Sequence, residues 1–598
     1  MNTIKTRKEA AQGDCWDLSS LFPTEQSWEE RFQILKPQVE KIVLFKSTLG
    51  GGAQNVLEAL KFFLDLEQTM EKLGTYAHLR TTEDVADSGA QERLGRFMSL
   101  ATQVEAMGSW FNPELQSLDP QYLQSLLENP ILMDYWIYLG KILRYKPHVL
   151  SEEGEKIMAL GQESQGAIRQ TFSSLTNGDL EFGTLETPEG QKPLTQSTFA
   201  LFLQHKNRDV RRRAFDQFYQ QFAAHKNTLA QLFSGNVQQD LFRSRVRNFP
   251  SCRSAALFPD KVPEEVYDNL VQTIRENLPL LHRYYKLRQQ TLGVEKLHHC
   301  DVYAPMVPQA EMIHTYDQAV DKIVKSLEPL GSEYTETLQK GLLGGWVDRF
   351  ENKGKRSGAF SSGAYGSSPV ILMNFKEESL RDVFTLTHEG GHSMHSWYSQ
   401  NNNPYQHYSY TIFEAEVAST FNEQLLAKYL LKSTEDKNLK AYLISKGLED
   451  MVATIFRQTM FAEYEQRIHK LAEDGEALTL DCLRTQYREL LVAYFGPDVE
   501  LSEYSDLEGL RIPHFYGSFY VYKYATGLSA AIALSTNVLE KGEPARRDYL
   551  KFLKSGGSHY PLESLKLAGV DMSTPAPVKA AMKVFEKNLL ELENLLLS

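Results

Sequence analysis

The stretch Thr385-Leu-Thr-His-Glu-Gly-Gly-His-Ser-Met-His-Ser-Trp397 decides how the rest of the chain is read. It contains His388-Glu389-x-x-His392. On a helix, residues four apart lie one turn above each other on one face, so both imidazoles converge on a single ion. Glu389 sits beside the first histidine, within reach of a water on that ion without being a ligand. Two neutral nitrogen donors, a carboxylate to take a proton and an open coordination position are the working parts of a zinc hydrolase. The motif also arises by chance on charged helix surfaces, so its surroundings matter. Ser379-Leu-Arg-Asp382 reads as a helix start with an acid three residues on. Leu380, Val383, Phe384, Leu386 and Thr387 form an apolar lead-in that places the histidines on a mostly buried helix. Gly390 and Gly391 fall mid-helix, where each costs about 1 kcal/mol against alanine. That cost is explicable if another backbone must come close.

Outward from the motif, a run of small residues, Gly354 to Ser368, precedes an apolar strand, Pro369-Val-Ile-Leu-Met-Asn-Phe375. The leading proline predicts an edge strand, whose open side can pair with an extended peptide. A third metal donor is sought on the next helix, Thr411 to Glu423, which the Asn401-Asn-Asn-Pro404 break separates from the first. Glu414 and Glu416 are two apart and point in different directions, so only one can face the ion. Small neighbours Ala415 and Ala418 favour Glu416, leaving Glu414 solvated. Glu423 returns to nearly the same face and is placed to bond a ligand imidazole. His395 is expected to pack one turn further along, since no histidine stands at 398 to complete a metzincin pattern.

Composition bounds the rest. The 598 residues exceed a single small core and imply two or more lobes. A net charge of −13 argues against nucleic acid or an anionic membrane as partner. Cys15, Cys252, Cys300 and Cys482 are far apart and form no C-x-x-C pair, which fits a reducing compartment. No apolar run spans a bilayer and no secretory signal opens the chain, so the expected location is the cytoplasm.

In chain order, helical spacing is read over 27–45, 55–82, 90–110, 121–127 and 153–175, then a β-hairpin about the Pro188-Glu-Gly-Gln turn. A domain cut is placed near residue 195, giving a helical domain over 1–195 and a catalytic domain over 196–598. Helices resume over 207–243 and 266–292. Arg211-Arg-Arg213 reads as a solvated face, and Asp301-Val-Tyr-Ala as a short extended piece whose flanking His298 and His299 point apart. Late in the chain Tyr516, Tyr520, Tyr522 and Tyr524 crowd beside His514. So many buried phenols would each need a partner, whereas in a cleft they are neutral donors suited to an oxyanion.

Taken together, Lys355-Arg-Ser-Gly-Ala-Phe-Ser-Ser-Gly, Ile371-Leu-Met-Asn-Phe, His388-Glu-Gly-Gly-His-Ser-Met-His, Glu414-Ala-Glu-Val-Ala-Ser-Thr, the run Arg511 to Gly527 and Lys554-Ser-Gly-Gly557 resemble the oligoendopeptidase F branch of the thimet oligopeptidase family. The motifs run in order through residues 195 to 598; the first third matches only in being helical. The resemblance implies a mainly α fold, two helical lobes forming an ellipsoid around a deep channel, with a small sheet beside the metal helix. It implies one Zn2+ held by His388, His392 and Glu416, which selects Glu416 over Glu414, and Glu389 as the base that passes its proton to the leaving amine. His514 and Tyr522 would contact the peptide carbonyl. Tyr516 and Tyr520, with Gly363 and Tyr365 of the small-residue loop, are the expected substrate contacts. The implied activity is hydrolysis of internal bonds in short peptides. A zinc carboxypeptidase of similar build and an inactive peptide-binding homologue are the alternatives; the first needs a cation to grip the terminal carboxylate, the second would have no use for Glu389. A monomer is expected.

Overall fold

A computed structural model describes residues 4–308 and 312–597, and the fold is mainly helical with a few small sheets. The first-third helices form where apolar spacing places them: Glu25–Val39, Ala53–Glu83, Ser88–Gly108, Pro120–Leu127 and Glu152–Ser174. Their starts carry side-chain caps, Thr24 on the first and Asp87, Asp119 and Ser151 on later ones, which satisfy otherwise orphaned backbone N–H groups. The hairpin is present as Thr184–Thr187 paired antiparallel with Gly190–Pro193.

Two long helices expected further on are each divided. The 207–243 stretch is Arg208–Ala224 and then Lys226–Val246, broken at His225. The 266–292 stretch is Glu264–Glu276 and then Leu278–Thr291, with Pro279 in the first turn of the second, where it lacks only an N–H that would be unpaired. Two further expectations are corrected. Arg211 is buried, not solvated: its guanidinium donates to Asp301 at 2.9 and 3.1 Å, beside a second pair from Arg208. The 301–304 piece is not extended, because Asp301 caps a 3-10 turn, His299–Tyr303, by accepting the His298 N–H.

The chain divides into two compact units, each assembled from three stretches. The first comprises Met1–Val149, Glu311–Ser433 and Ala533–Val570; the second Leu150–Ala310, Thr434–Ile532 and Asp571–Ser598. Compactness therefore groups the chain differently from a single cut near residue 195. In the first unit, Trp28, Leu35, Leu60, Leu73 and Leu79 centre an apolar cluster that also takes in Val370 and Leu372 of the small sheet. That sheet has the order Val347–Asp348, Val370–Leu372, Phe360–Ser362. The strand after Pro369 is thus central, not an edge. Its neighbour Phe360–Ser362, from the small-residue run, takes the edge position.

Two helices of the first unit position the site: α1 (Leu380–Asn402) and α2 (Ile412–Ser433). Ser379 caps α1 by accepting the Asp382 N–H at 3.3 Å, and Asp382 accepts the Lys376 N–H in return. Leu380, Val383, Leu386 and Met394 are buried along it. Lys355, whose side chain is fully buried, ties the loop between Val347–Asp348 and Phe360–Ser362 to Asp348 at 2.6 Å. Among the described residues no helix is long and apolar enough to cross a membrane.

Candidate metal centre

The approach of α2 to α1 is set by Gly391. A Cβ there would lie 2.6 Å from Ser419 Cα and 2.7 Å from the Ala418 carbonyl oxygen, so the two backbones meet where no side chain intervenes. Gly390 faces the other way, toward Leu338 at 3.2 Å. The mid-helix glycines are therefore the condition for the close crossing, with Ala418 supplying the matching small residue.

That crossing brings His388, His392 and Glu416 together, their nearest donor atoms all within 4.8 Å of one another. His388 Nε2 lies 3.6 Å from Glu416 Oε2, and the two imidazoles stand 4.9 Å apart at 79°. Donors about 2.0–2.2 Å from a tetrahedral ion are separated by about 3.3–3.6 Å. The 3.6 Å pair has that separation, and the nitrogen–carboxylate donor set suits a zinc-like divalent cation. Each imidazole is oriented through a further hydrogen bond: His388 Nδ1 is 2.8 Å from Glu423 Oε1, and His392 bonds the Ala415 carbonyl. Such partners fix which nitrogen faces a metal.

The electrostatics are those of a crowded, half-dry site. Burial alone would lower the His388 imidazole, but the Glu423 hydrogen bond and the charges of Glu423, Glu389 and Glu416 lift it to about 9. Burial and the neighbouring His388 push His392 down to about 3. Glu389 is 8% exposed, and burial raises its carboxyl against the pull of His388. It also accepts the Ser361 N–H from the edge strand, while Ser361 Oγ is 2.8 Å from Ser393 Oγ on α1. Ser361 was not singled out by sequence, and Ala415 only as a small neighbour of Glu416; toward the site both act through backbone atoms, which leave no residue-type signal.

Other expected positions take structural partners. Glu414 is buried, not solvated: it turns back to the start of α2, accepting from Thr411 N and Oγ1 at 3.2 and 3.3 Å, and burial raises it to about 7. His395 is buried and stacks on Tyr410, rings 3.6 Å apart at 10°. A Cβ at Gly363 would lie 3.5 Å from Pro369 Cα and 3.6 Å from the Ser368 carbonyl oxygen. Tyr365 donates its hydroxyl to the Asn403 carbonyl at 3.0 Å and its N–H to Glu71 at 3.1 Å, so its polar atoms hold the loop.

His514, Tyr516, Tyr520 and Tyr522 belong to the second unit. His514 is exposed, with Nε2 3.5 Å from the Tyr524 hydroxyl and its ring 6.5 Å from that of Tyr520. Tyr516 is buried and stacks on Phe172 at 4.1 Å. Tyr522 is 1% exposed, its ring 5.2 Å from Tyr267. Of these phenols, Tyr520 is half-buried and Tyr516 and Tyr522 face inward.

Comparison with known proteins identifies the family. The sequence model of "Peptidase family M3" matches residues 201–584 and that of "Oligopeptidase F" residues 114–182. Oligopeptidase PepF of Bacillus subtilis is 44% identical over the whole chain and 89% of its own length; an oligoendopeptidase F homolog of Borreliella burgdorferi is 42% identical over 98% of this chain and 99% of its own. The crystal structure of oligoendopeptidase-F from Enterococcus faecium superimposes with a TM-score of 0.74 at 35% identity, covering 96% of this chain and 99% of that one. With a family model matched over residues 201–584 and relatives matched from end to end, the chain belongs to the oligoendopeptidase F branch of peptidase family M3.

Proposed function

We propose that this peptidase is a zinc-dependent metalloendopeptidase that cleaves internal bonds of short oligopeptides in the cytoplasm. The observation that carries the reading is the meeting of three donor atoms within 4.8 Å, beside the buried carboxyl of Glu389 on the helix that bears both histidines. In this reading His388, His392 and Glu416 hold one zinc ion, and Glu423 turns His388 so that Nε2 faces it. Bound there, zinc supplies Lewis acidity that acidifies a water and polarises a carbonyl. Glu389 takes the proton of the attacking water and delivers it to the leaving amine. Its burial suits both halves of that task, since a raised carboxyl accepts a proton readily and still returns it. The Ser361 N–H orients its carboxylate.

Further contributions are proposed from the sequence match. His514 and Tyr522 donate to the oxyanion as the carbonyl carbon becomes tetrahedral, each good donor being worth about 3 kcal/mol. Tyr516, Tyr520, Gly363 and Tyr365 shape the substrate site; for Tyr365 the support is its grip on the loop. The division of sequence is proposed near residue 195, with a helical segment before it and the catalytic segment after.

The deciding experiment uses a quenched fluorescent peptide blocked at both ends, with and without a chelator. Cleavage that is lost on chelation and restored by zinc is expected. No cleavage of the blocked peptide, with cleavage of one bearing a free carboxylate, would favour a carboxypeptidase. No cleavage of either would leave only a peptide binder.

A further inference from the structure

In the second unit, Phe519 has a φ of +58°. This left-handed conformation is costly for a bulky residue and persists only when the surroundings impose it. The ring is buried, 4.6 Å from that of His469 and 6.0 Å from that of Tyr267. The backbone is held by Glu465, on the helix Arg457–Glu473, which accepts the Phe519 N–H at 2.9 Å. Glu465 is 1% exposed, and its other oxygen, Oε2, has no hydrogen-bond partner among the described residues. A buried carboxyl with one donor and an orphan oxygen is a poor stabiliser of a core. An apolar side chain would fill the space at lower cost, so the acid is better explained by what it does to the turn.

A second tie lies beside the first. Asp240 accepts the Ser518 hydroxyl at 2.6 Å, with His469 Nε2 3.3 Å from the same oxygen. Asn236 donates to the Phe515 carbonyl at 3.2 Å. Behind the turn a cavity of about 620 Å³ is lined in part by Asp240, Ser244, Cys252, Ser518 and Phe519. Close packing is missing on that side, and the polar ties take its place. The turn also phases its neighbours: Val521 and Tyr522 face inward, Tyr520, Lys523 and Tyr524 are half-buried, and His514 ahead of it is exposed.

We propose that Glu465 is a positioning residue for peptide cleavage: by accepting the Phe519 N–H it locks the left-handed turn that sets which groups of the 514–524 segment are presented, with Asp240–Ser518 as the second tie. The inference rests on the reading of that segment given under Proposed function. A neutral acceptor suffices for the task, because one N–H is all that Glu465 receives.

The test compares Glu465→Leu, which removes the acceptor at similar volume, with Glu465→Gln, which keeps a carbonyl oxygen, both as zinc-loaded full-length enzyme. A misplacement of about 1 Å costs on the order of 100-fold in rate. Glu465→Leu is therefore expected to lower kcat by about 10- to 100-fold, with KM within about threefold and metal content and melting curve kept. Glu465→Gln is expected to restore kcat to within about threefold. Ser518→Ala, at a half-buried position, should lower kcat by about 3- to 10-fold. An unchanged kcat in Glu465→Leu, a Gln variant as impaired as the Leu variant, or a loss confined to KM would overturn the proposal. Should Glu465→Leu not fold, an unchanged kcat in Ser518→Ala overturns it alone. Tyr522→Phe and His514→Ala run in parallel: wild-type kcat in both sinks the reading of the segment, whereas losses there without losses at 465 and 518 sink only the positioning.

Discussion

In the helix pair α1 and α2, polar side chains meet because two rigid rods cross at a fixed point, Gly391 over Ser419. In the segment 511–524, by contrast, short turns are suspended from Glu465, Asp240 and Asn236, all far away in sequence, with the buried Glu508, paired with Arg457 and Arg511, just ahead of the segment. The first arrangement stores its geometry in residue spacing and the absence of side chains at one contact. The second stores it in long-range hydrogen bonds whose partners no local pattern announces. Rods tolerate small errors along their length but not at the crossing. A suspended turn depends on each of its ties in proportion to what that tie fixes.

The sharpest way to separate chemistry from scaffolding in the helix pair is Glu389→Gln. It should lower kcat by about 10³- to 10⁴-fold while elemental analysis still finds the metal; retained turnover would remove Glu389 from the role of base. The next effect is on the suspended side and on stability. Burial alone would raise the Glu508 carboxyl, but the charge and hydrogen bond of Arg457, with the charges of His299 and Arg511, hold it at about 2. Its folded value lies below the ordinary 4.5, so its contribution is full above pH about 4.5 and is lost as pH falls toward 2. Glu508→Gln strands Arg457 and should cost about 3–5 kcal/mol at pH 7, while shrinking the difference in urea midpoint between pH 7 and pH 3.5. An unaltered pH difference would show that other acids govern it.

Smaller effects probe the crossing itself. Gly391→Ala must push two backbones apart, at about 1–3 kcal/mol, with weakened metal binding. Gly390→Ala meets only a leucine methyl and should be nearly neutral. Equal stability and metal content in the two variants would refute the idea that the crossing sets the donor geometry. Glu423→Gln should weaken metal affinity by about 10-fold, read by competition with a chelating dye, since it leaves the ligands but changes how His388 is oriented.

The contrast also explains what could be read from sequence. Helices of the first third, the hairpin, the cap at Ser379 and the pairing of Glu423 with His388 arise from periodicity and spacing, which are local. The stretches over 207–243 and 266–292 were legible as helix; the break at His225 carries no strong stop signal, whereas that at Asn277 does, since Pro279 opens a new first turn there. Pro369 misdirected the strand order: a proline just before a strand costs no ladder bond, so it is compatible with a central position. Glu414 looked solvated beside Glu416, yet the start of α2 offers it donors that only the folded turn reveals. The left-handed Phe519 and its acid were invisible, since nothing in a phenylalanine predicts positive φ and nothing links it to a residue on a distant helix.

The way each compact unit draws on three separated stretches has a consequence for biosynthesis. Residues Ala533–Val570 join one core and Asp571–Ser598 the other, so during synthesis each core waits for residues far along the chain from its first stretch. Neither can close cotranslationally in the manner of a bead on a string. Apolar faces awaiting their later helices stay open during elongation, and transiently exposed apolar surface of that kind is prone to aggregation.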